Sequence, residues 1–329
     1  MSNHFSPGNV IRDRYEIQAL IGQGGMGAVY RVADHRLPGR LCALKVMRAQ
    51  PGDLLGGEDA VRRQFLAEAS TLGRLDHPNL PKVSDYFNLD AYDCLVMDYV
   101  AGPDLNQRIA EARRHARPLP LADVLAWLDQ LCDVLSYLHG QQPPIIHGDV
   151  KPANIKLTAD DRIKLVDFGL VRPADPDDPR TLTGAGLRGL GSLPYAALEQ
   201  YAGSRASIDP RSDLYSLGAT LYHLVTNQAP ASAHDRFLDP AALVPPRQLN
   251  PDLPPAVETA ILAAMHPHPK DRPPSVATWR KGLWLDLPDV TYTGPAMPGT
   301  ERGMWAENRW YLLVAGVMVA VAVALTFWR

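Results

Sequence analysis

The apolar residues of this chain change their periodicity partway along, and that change limits the fold more than any other feature. From Tyr15 to about Tyr99 they come in short β-branched and aromatic runs, YEIQAL, GAVYRV, LCALKVM and CLVMDYV, as strands do. One helical stretch interrupts them, Val61 to Leu75, with Phe65, Ala69, Leu72 and Leu75 on one face. From Leu121 to His139, Val124, Leu125, Leu128, Leu131, Leu135 and Leu138 recur at helical spacing, and Leu214 to Val225 repeats the pattern. The expectation is an α+β chain of two lobes, a small β-rich one followed by a larger helical one. At 329 residues the chain can bury a sizeable core. The Pro-rich stretches 173–179 and 239–255 read as loops.

Composition excludes several classes. An apolar fraction of 46% with 21% charged residues is globular rather than disordered. A net charge of −3 gives no basic footprint, so nucleic acid is not an expected partner. Cys42, Cys94 and Cys132 form neither a metal-spaced pair nor a disulfide framework, which suits a reducing compartment. No internal repeat and no N-terminal signal peptide is apparent.

Four motifs carry chemistry. In Gly22-Gln23-Gly24-Gly25-Met26-Gly27-Ala28-Val29 the glycines let backbone N–H groups come close to phosphate oxygens. A strand, not a helix, follows at Ala28 to Val32, which argues against a dinucleotide fold. Next is Lys45 in Ala43-Leu44-Lys45, a cation inside an apolar strand. Paired with Glu68 on the helix 61–75 it could hold phosphate oxygens; Glu58, in a Gly-rich stretch, is the rival.

The third motif is the most specific. In His147-x-Asp149-x-Lys151-x-x-Asn154, Asp149 can accept the proton of a substrate hydroxyl and Lys151 can neutralise a γ-phosphate in transfer. Asn154 offers Mg²⁺ a carboxamide oxygen. Thirteen residues later Asp167-Phe168-Gly169 ends the apolar strand Ile163 to Val166, and its carboxylate suits the same hard cation. Taken singly the glycine loop or the Asp-Phe-Gly is weak. Together and in this order they are not.

From Tyr15 to Leu283 the chain resembles the eukaryotic-like (Hanks-type) bacterial serine/threonine protein kinases. The glycine loop, His77-Pro78-Asn79, Lys151-Pro152-Ala153-Asn154, Asp213-Leu214-Tyr215-Ser216-Leu217-Gly218 and Arg272 carry that resemblance. It implies a two-lobed kinase domain at 15–283, with the small lobe at 15–100 and the large at 101–283, after an extension at 1–14. It implies ATP with Mg²⁺ as cofactors, Mn²⁺ being the other ion the donor set could take, and Ser/Thr side chains of proteins as acceptors. ATP is expected to contact Ile21, Gly22, Gly24, Gly27, Val29, Ala43 and Lys45, with a hinge at Asp98-Tyr99-Val100 after a Met97 gatekeeper and Lys156 beneath the base. Asp213 is expected to brace the catalytic loop, and Glu199 to pair with Arg272.

Four residues depart from the family pattern. Gly148 stands where an arginine usually receives an activation-loop phosphate, so Thr181 and Thr183 are expected to be dispensable for activity. Leu198 replaces the proline of Ala-Pro-Glu, and Ser192 replaces a threonine. Lys156 replaces an apolar floor, where its stem could serve while the ammonium reaches outward.

Beyond a Gly/Pro-bearing linker at 284–309, Trp310 to Trp328 runs nineteen residues without a charge, long enough as a helix to span about 28 Å. Trp310, Tyr311 and Trp328 sit where interfacial aromatics belong. Arg280, Lys281, Arg302 and Arg309 precede the run and Arg329 alone follows it, which places residues 1–283 on the cytoplasmic side of a single-pass cell-membrane anchor. With the sequence ending at Arg329, no extracytoplasmic sensor is expected. Gly316, Ala320 and Ala324 recur every fourth residue, a ridge on which two anchors could pack as a homodimer. The rival reading is a membrane-tethered nucleotide-binding scaffold with little catalysis, and Lys45, Asp149, Asn154 and Asp167 together argue against it. A small-molecule phosphotransferase of the aminoglycoside or choline kinase kind is disfavoured by the full glycine loop with Asp213 and Arg272.

Overall fold

The computed structural model describes residues 5–24, 27–48, 69–90, 92–115, 117–167, 172–173, 193–201 and 208–287. Glu58, Glu68, Phe168, Gly169, Thr181, Thr183, Ser192 and the run Trp310 to Trp328 lie outside the described residues. The chain divides into two units, Met1–Asp289 and Val290–Arg329, and all described residues belong to the first. Among the described residues no helix is long and apolar enough to cross a membrane.

Six strands build the first lobe: β1 (Val10–Ile11), β2 (Tyr15–Gly24), β3 (Gly27–Asp34), β4 (Leu41–Arg48), β5 (Val83–Leu89) and β6 (Tyr92–Asp98). They lie in the order β1-β2-β3-β4-β6-β5, each antiparallel to its neighbour. Side-chain alternation sorts the two faces. Ala28, Tyr30 and Val32 of β3 share a core with Cys42, Leu44 and Val46 of β4 and with Cys94 and Val96 of β6. Tyr15 stacks on Phe87 within it, ring centroids 5.9 Å apart. Phe5 also enters this core, 5.4 Å from the Tyr30 ring and 5.1 Å from that of Tyr92. Within the expected extension 1–14, Val10–Ile11 therefore adds an edge strand to the sheet and Phe5 adds a side chain to its core.

The second lobe holds α1 (Leu105–Arg114), α2 (Leu121–His139), α3 (Leu198–Tyr201), α4 (Pro210–Thr226), α5 (Ala233–Leu238), α6 (Pro246–Leu249), α7 (Pro255–Ala264) and α8 (Val276–Leu285). α4 is its axis: every residue from Ser212 to Thr226 is buried, so the helix is enclosed on all faces. Gly218 lets α7 approach, since a Cβ there would lie 2.8 Å from Ala264 Cβ. α8 is pinned by Trp279 Nε1 donating to Ala260 O (2.8 Å) and by Arg280 Nε donating to Asp129 Oδ1 of α2 (2.7 Å). Proline-initiated turns begin at Pro240, Pro246 and Pro255 where sequence suggested loop. Proline suits the first position of a helix, where no N–H partner is needed.

Two short ribbons carry the catalytic segments. β7 (Ile145–Ile146) pairs with β10 (Arg172–Pro173), and β8 (Ile155–Leu157) pairs with β9 (Ile163–Leu165). The loop His147 to Asn154 lies between β7 and β8, and Asp167 follows β9 by two residues.

Candidate active site

The strand face opposite the first-lobe core gathers the expected nucleotide residues. Val29 lies directly across from Lys45 and Lys45 from Leu95, while Ala43 pairs with Met97. All belong to the alternate set, facing away from Tyr30, Leu44 and Val96. Gly22, Gln23 and Gly24 pair with Val29, Ala28 and Gly27 as a hairpin. Gly27, at φ 147°, passes so close to β4 that a Cβ would sit 2.1 Å from the Val46 carbonyl oxygen. The hairpin's path over β4 thus requires this glycine independently of any phosphate. Ile21 is largely exposed at the hairpin's base.

Hinge residues Met97, Asp98 and Val100 are half-buried. The Asp98 carboxylate accepts from the Lys82 backbone N–H (3.1 Å) and from Arg40 Nη2 (3.3 Å). The Asp98 backbone N–H is engaged as well, donating to the Lys82 carbonyl (3.0 Å). Lys156, on β8, donates from Nζ to the Gly102 carbonyl (3.2 Å). The ammonium therefore finds its partner at Gly102, two residues past Val100.

The catalytic loop is closely hydrogen-bonded. The Asp149 Oδ2 atom accepts from Lys151 Nζ (2.7 Å) and from Asn154 Nδ2 (2.8 Å), and Asn154 Nδ2 also reaches the Asp149 carbonyl (2.9 Å). Val166 N–H donates to the Asn154 carbonyl (2.8 Å), tying the loop to the segment that ends in Asp167. Asp167 is held at φ 56° with its side chain 52% exposed, and its Oδ1 lies 3.8 Å from Lys45 Nζ. The structure thus brings Lys45, Asp149, Lys151, Asn154 and Asp167 together. Glu68, the expected partner of Lys45, lies outside the described residues.

Beneath the loop, the buried Asp213 carboxylate accepts from His147 N–H (2.9 Å), Gly148 N–H (2.8 Å) and His139 Nε2 (2.8 Å). Burial alone would raise its pKa; the His139 hydrogen bond and neighbouring imidazole and amide dipoles bring it net below the usual carboxylate range. Burial lowers the His147 pKa, so the ring stays neutral, and its Nδ1 lies 3.3 Å from the Asp149 amide nitrogen, which donates to it. Gly148 itself has φ 76°, a backbone that glycine adopts without strain.

Glu199 and Arg272 meet as the resemblance implies: Nη1 to Oε1 is 2.7 Å and Nη2 to Oε2 is 3.0 Å, with Ser212 Oγ adding a third contact at 2.7 Å. Leu198 in place of proline leaves this pair intact.

Three further features were not foreseen. Asn79 clamps β9 from both sides, donating from Nδ2 to Ile163 O (2.9 Å) and accepting Leu165 N–H (2.8 Å). Lys164, its pKa drawn down by burial, donates to Leu80 O (3.0 Å). His223 on α4 accepts at Nε2 from Arg113 Nη2 (3.2 Å), because guanidinium can only donate; its Nδ1–H then donates to Tyr195 Oη (2.6 Å). The His77-Pro78-Asn79 motif could have pointed to Asn79. Nothing in the sequence pairs 113, 195 and 223.

A divalent cation fits here. Asn154 spends its Nδ2 on Asp149, which leaves its Oδ1 lone pairs to offer a cation, and the Asp167 carboxylate is exposed one residue past Val166, whose N–H is bonded to the Asn154 carbonyl. Both are hard oxygens. Among the described residues no cluster of three or more His, Cys, Asp or Glu could hold a metal alone.

The sequence matches the Protein kinase domain family over residues 15–248, and the chain belongs to that family. It is 36% identical over 293 residues to the serine/threonine-protein kinase pkn3 of Myxococcus xanthus, covering 84% of this chain and 50% of that protein. It is 34% identical over 274 residues to serine/threonine-protein kinase PknA of Mycobacterium tuberculosis, covering 80% and 59%. The chain thus spans about half the length of these curated relatives. Among solved structures, the PknI kinase domain of Mycobacterium tuberculosis superposes with a TM-score of 0.63 at 30% identity, covering 85% of this chain and 98% of that one.

Proposed function

We propose that the chain transfers the γ-phosphoryl group of Mg-ATP to Ser and Thr hydroxyls of proteins, itself included. The observation that carries this reading is Asp149, whose carboxylate is oriented by Lys151 at 2.7 Å and Asn154 at 2.8 Å within a loop tied to Asp167. In that arrangement Asp149 accepts the hydroxyl proton of the substrate as the oxygen attacks phosphorus. Lys151 lies where it can neutralise charge on the phosphoryl oxygens, and Lys45 can hold those of the α- and β-phosphates. Asn154 and Asp167 would hold Mg²⁺, which would supply neutralisation of the phosphate charge. The protein's part is positioning and electrostatics rather than covalent catalysis. Val29, Ala43, Met97 and the hinge backbone supply the slot for adenine.

The run Trp310 to Trp328 supports single-pass attachment to the cell membrane with the kinase domain on the cytoplasmic side, and Gly316, Ala320 and Ala324 support pairing of two anchors. Incubating the purified chain with γ-labelled ATP, Mg²⁺ and a generic basic protein, beside an Asp149→Asn control, tests the activity. Labelled phosphoserine or phosphothreonine with wild type alone is expected. Fractionation of cells expressing the chain with and without residues 310–328 tests the anchor, and equal partition of both forms would remove it.

A further inference from the structure

The Gly148 peptide is gripped on both sides, and the second grip comes from Gln200, which belongs to none of the motifs above. Upstream, Asp213 takes the N–H groups of His147 and Gly148. Downstream, Gln200 Nε2 donates to the Gly148 carbonyl oxygen (2.9 Å). The same carboxamide accepts at Oε1 from the Ala197 N–H (2.7 Å), and Gln200 N–H donates back to Ala197 O (3.0 Å). Its side chain is buried, with the residue 7% exposed. Its neighbour Glu199 is locked to Arg272 and Ser212. Gln200 thus stands on a rigid base.

The Gly148 carbonyl belongs to the peptide bond that leads directly into Asp149. Glycine leaves the rotation on either side of its Cα freer than any other residue would. At 148 that freedom would loosen the backbone from which Asp149 projects, even with the carboxylate held by Lys151 and Asn154 and the Asp149 N–H donating to His147, and misplacement of a reacting group by about 1 Å can cost on the order of a hundredfold in rate. Asp213 restrains only the atoms before the Gly148 Cα. We propose that Gln200 is a positioning residue for Asp149: by fixing the Gly148 carbonyl it links the segment 193–201 to the catalytic base. The link is an amide to a carbonyl and requires no charged or phosphorylated group. A carboxamide is needed because the side chain must donate at one atom and accept at the other. Glutamate in its place would turn an acceptor toward the Gly148 carbonyl.

This inference rests on the phosphotransfer reading, and two variants of near-equal volume test it in the full chain. Gln200→Met removes donor and acceptor; Gln200→Glu replaces the donor with a carboxylate oxygen. The expected result is a fall in kcat of about tenfold or more for Gln200→Met and a larger one for Gln200→Glu, from loss of a buried hydrogen bond that aligns the base. The KM for Mg-ATP should stay within about twofold, because nothing that lines the nucleotide slot has moved. A kcat unchanged in Gln200→Met, or kcat and ATP affinity falling in parallel, overturns the proposal. Amide hydrogen exchange of wild type gives a second reading that does not depend on the variants folding or on activity. Ala197 N–H should be protected as a buried, hydrogen-bonded amide, and exchange at the rate of an open segment would refute the clamp even if wild type transferred no phosphate.

Discussion

Asn154 Nδ2 lies 2.8 Å from Asp149 Oδ2, so in the proposed phosphotransfer the residue that would offer the metal an oxygen also aims the base. One amide serves both through its two ends. The pairing explains why an amide, not a second carboxylate, occupies 154.

Asn154→Asp would set two carboxylates within hydrogen-bond distance, and like charges so close raise the pKa of one of them. The ascending limb of the kcat/KM profile should move to higher pH, measured by initial rates with Mg-ATP across the range. Asn154→Ala should lower kcat by about a hundredfold or more, since it removes the aim and the oxygen together. A profile unmoved by Asn154→Asp would separate Asn154 from the base.

The buried pair Glu199–Arg272, with side chains 4% and 0% exposed, should be sensitive to removal of either partner. Glu199→Ala leaves Arg272 charged in the interior and should cost about 3–5 kcal/mol. For a domain of this size that is a melting temperature lower by roughly 6–20 °C, measured by differential scanning calorimetry. Glu199→Gln, which keeps the Oε1 contacts to Arg272 Nη1 and Ser212 and loses the Oε2 contact to Nη2, should cost less than Glu199→Ala.

His223 makes the fold sensitive to acid. Burial first, then the Arg113 charge, lowers its pKa from 6.5 to about 4. Between those values the unfolded chain binds the extra proton and the folded chain does not, so stability rises with pH. The contribution is complete above about 6.5 and is lost as pH falls toward 4. Urea midpoints measured from pH 7 down to 4.5 should fall less steeply for His223→Gln than for wild type.

Lys156 should tolerate loss of its charge. Its Nζ is bound to the Gly102 carbonyl, so in the proposed adenine slot only the stem would meet the base. Lys156→Met keeps that stem, and the Kd for ATP should change by less than about threefold, read by calorimetry. A tenfold change would assign the ammonium a direct part in nucleotide binding.

With no arginine at 148 to take up a loop phosphate, Thr181→Ala/Thr183→Ala protein should keep most of its turnover, measured against wild type in the same assay. Loss of most activity would contradict the reading of Gly148.

The sequence made the catalytic loop legible because its parts are close together: Asp149, Lys151 and Asn154 sit within six residues and meet through contacts that their spacing allows. The strands followed from period-two alternation, and α2 from its leucines. What stayed hidden depends on partners far apart in the chain. Gln200 meets Gly148 across 52 positions, and His223 meets Arg113 across 110. Neither contact leaves a periodic or spaced trace. Phe5 was missed for another reason: one aromatic beside a two-residue strand carries no pattern, yet it is buried between Tyr30 and Tyr92. The Glu199–Arg272 pair, 73 positions apart, was expected only because the family resemblance supplied it.

In the proposed function Asp149 is the base of a phosphoryl transfer to protein hydroxyls. The most direct measurement is label transfer from γ-labelled ATP with Mg²⁺ to a basic protein, followed by phosphoamino-acid analysis, for wild type and Asp149→Asn side by side. The account predicts labelled phosphoserine and phosphothreonine from wild type and a loss of at least about a hundredfold in the variant. Equal labelling by the two proteins would contradict it.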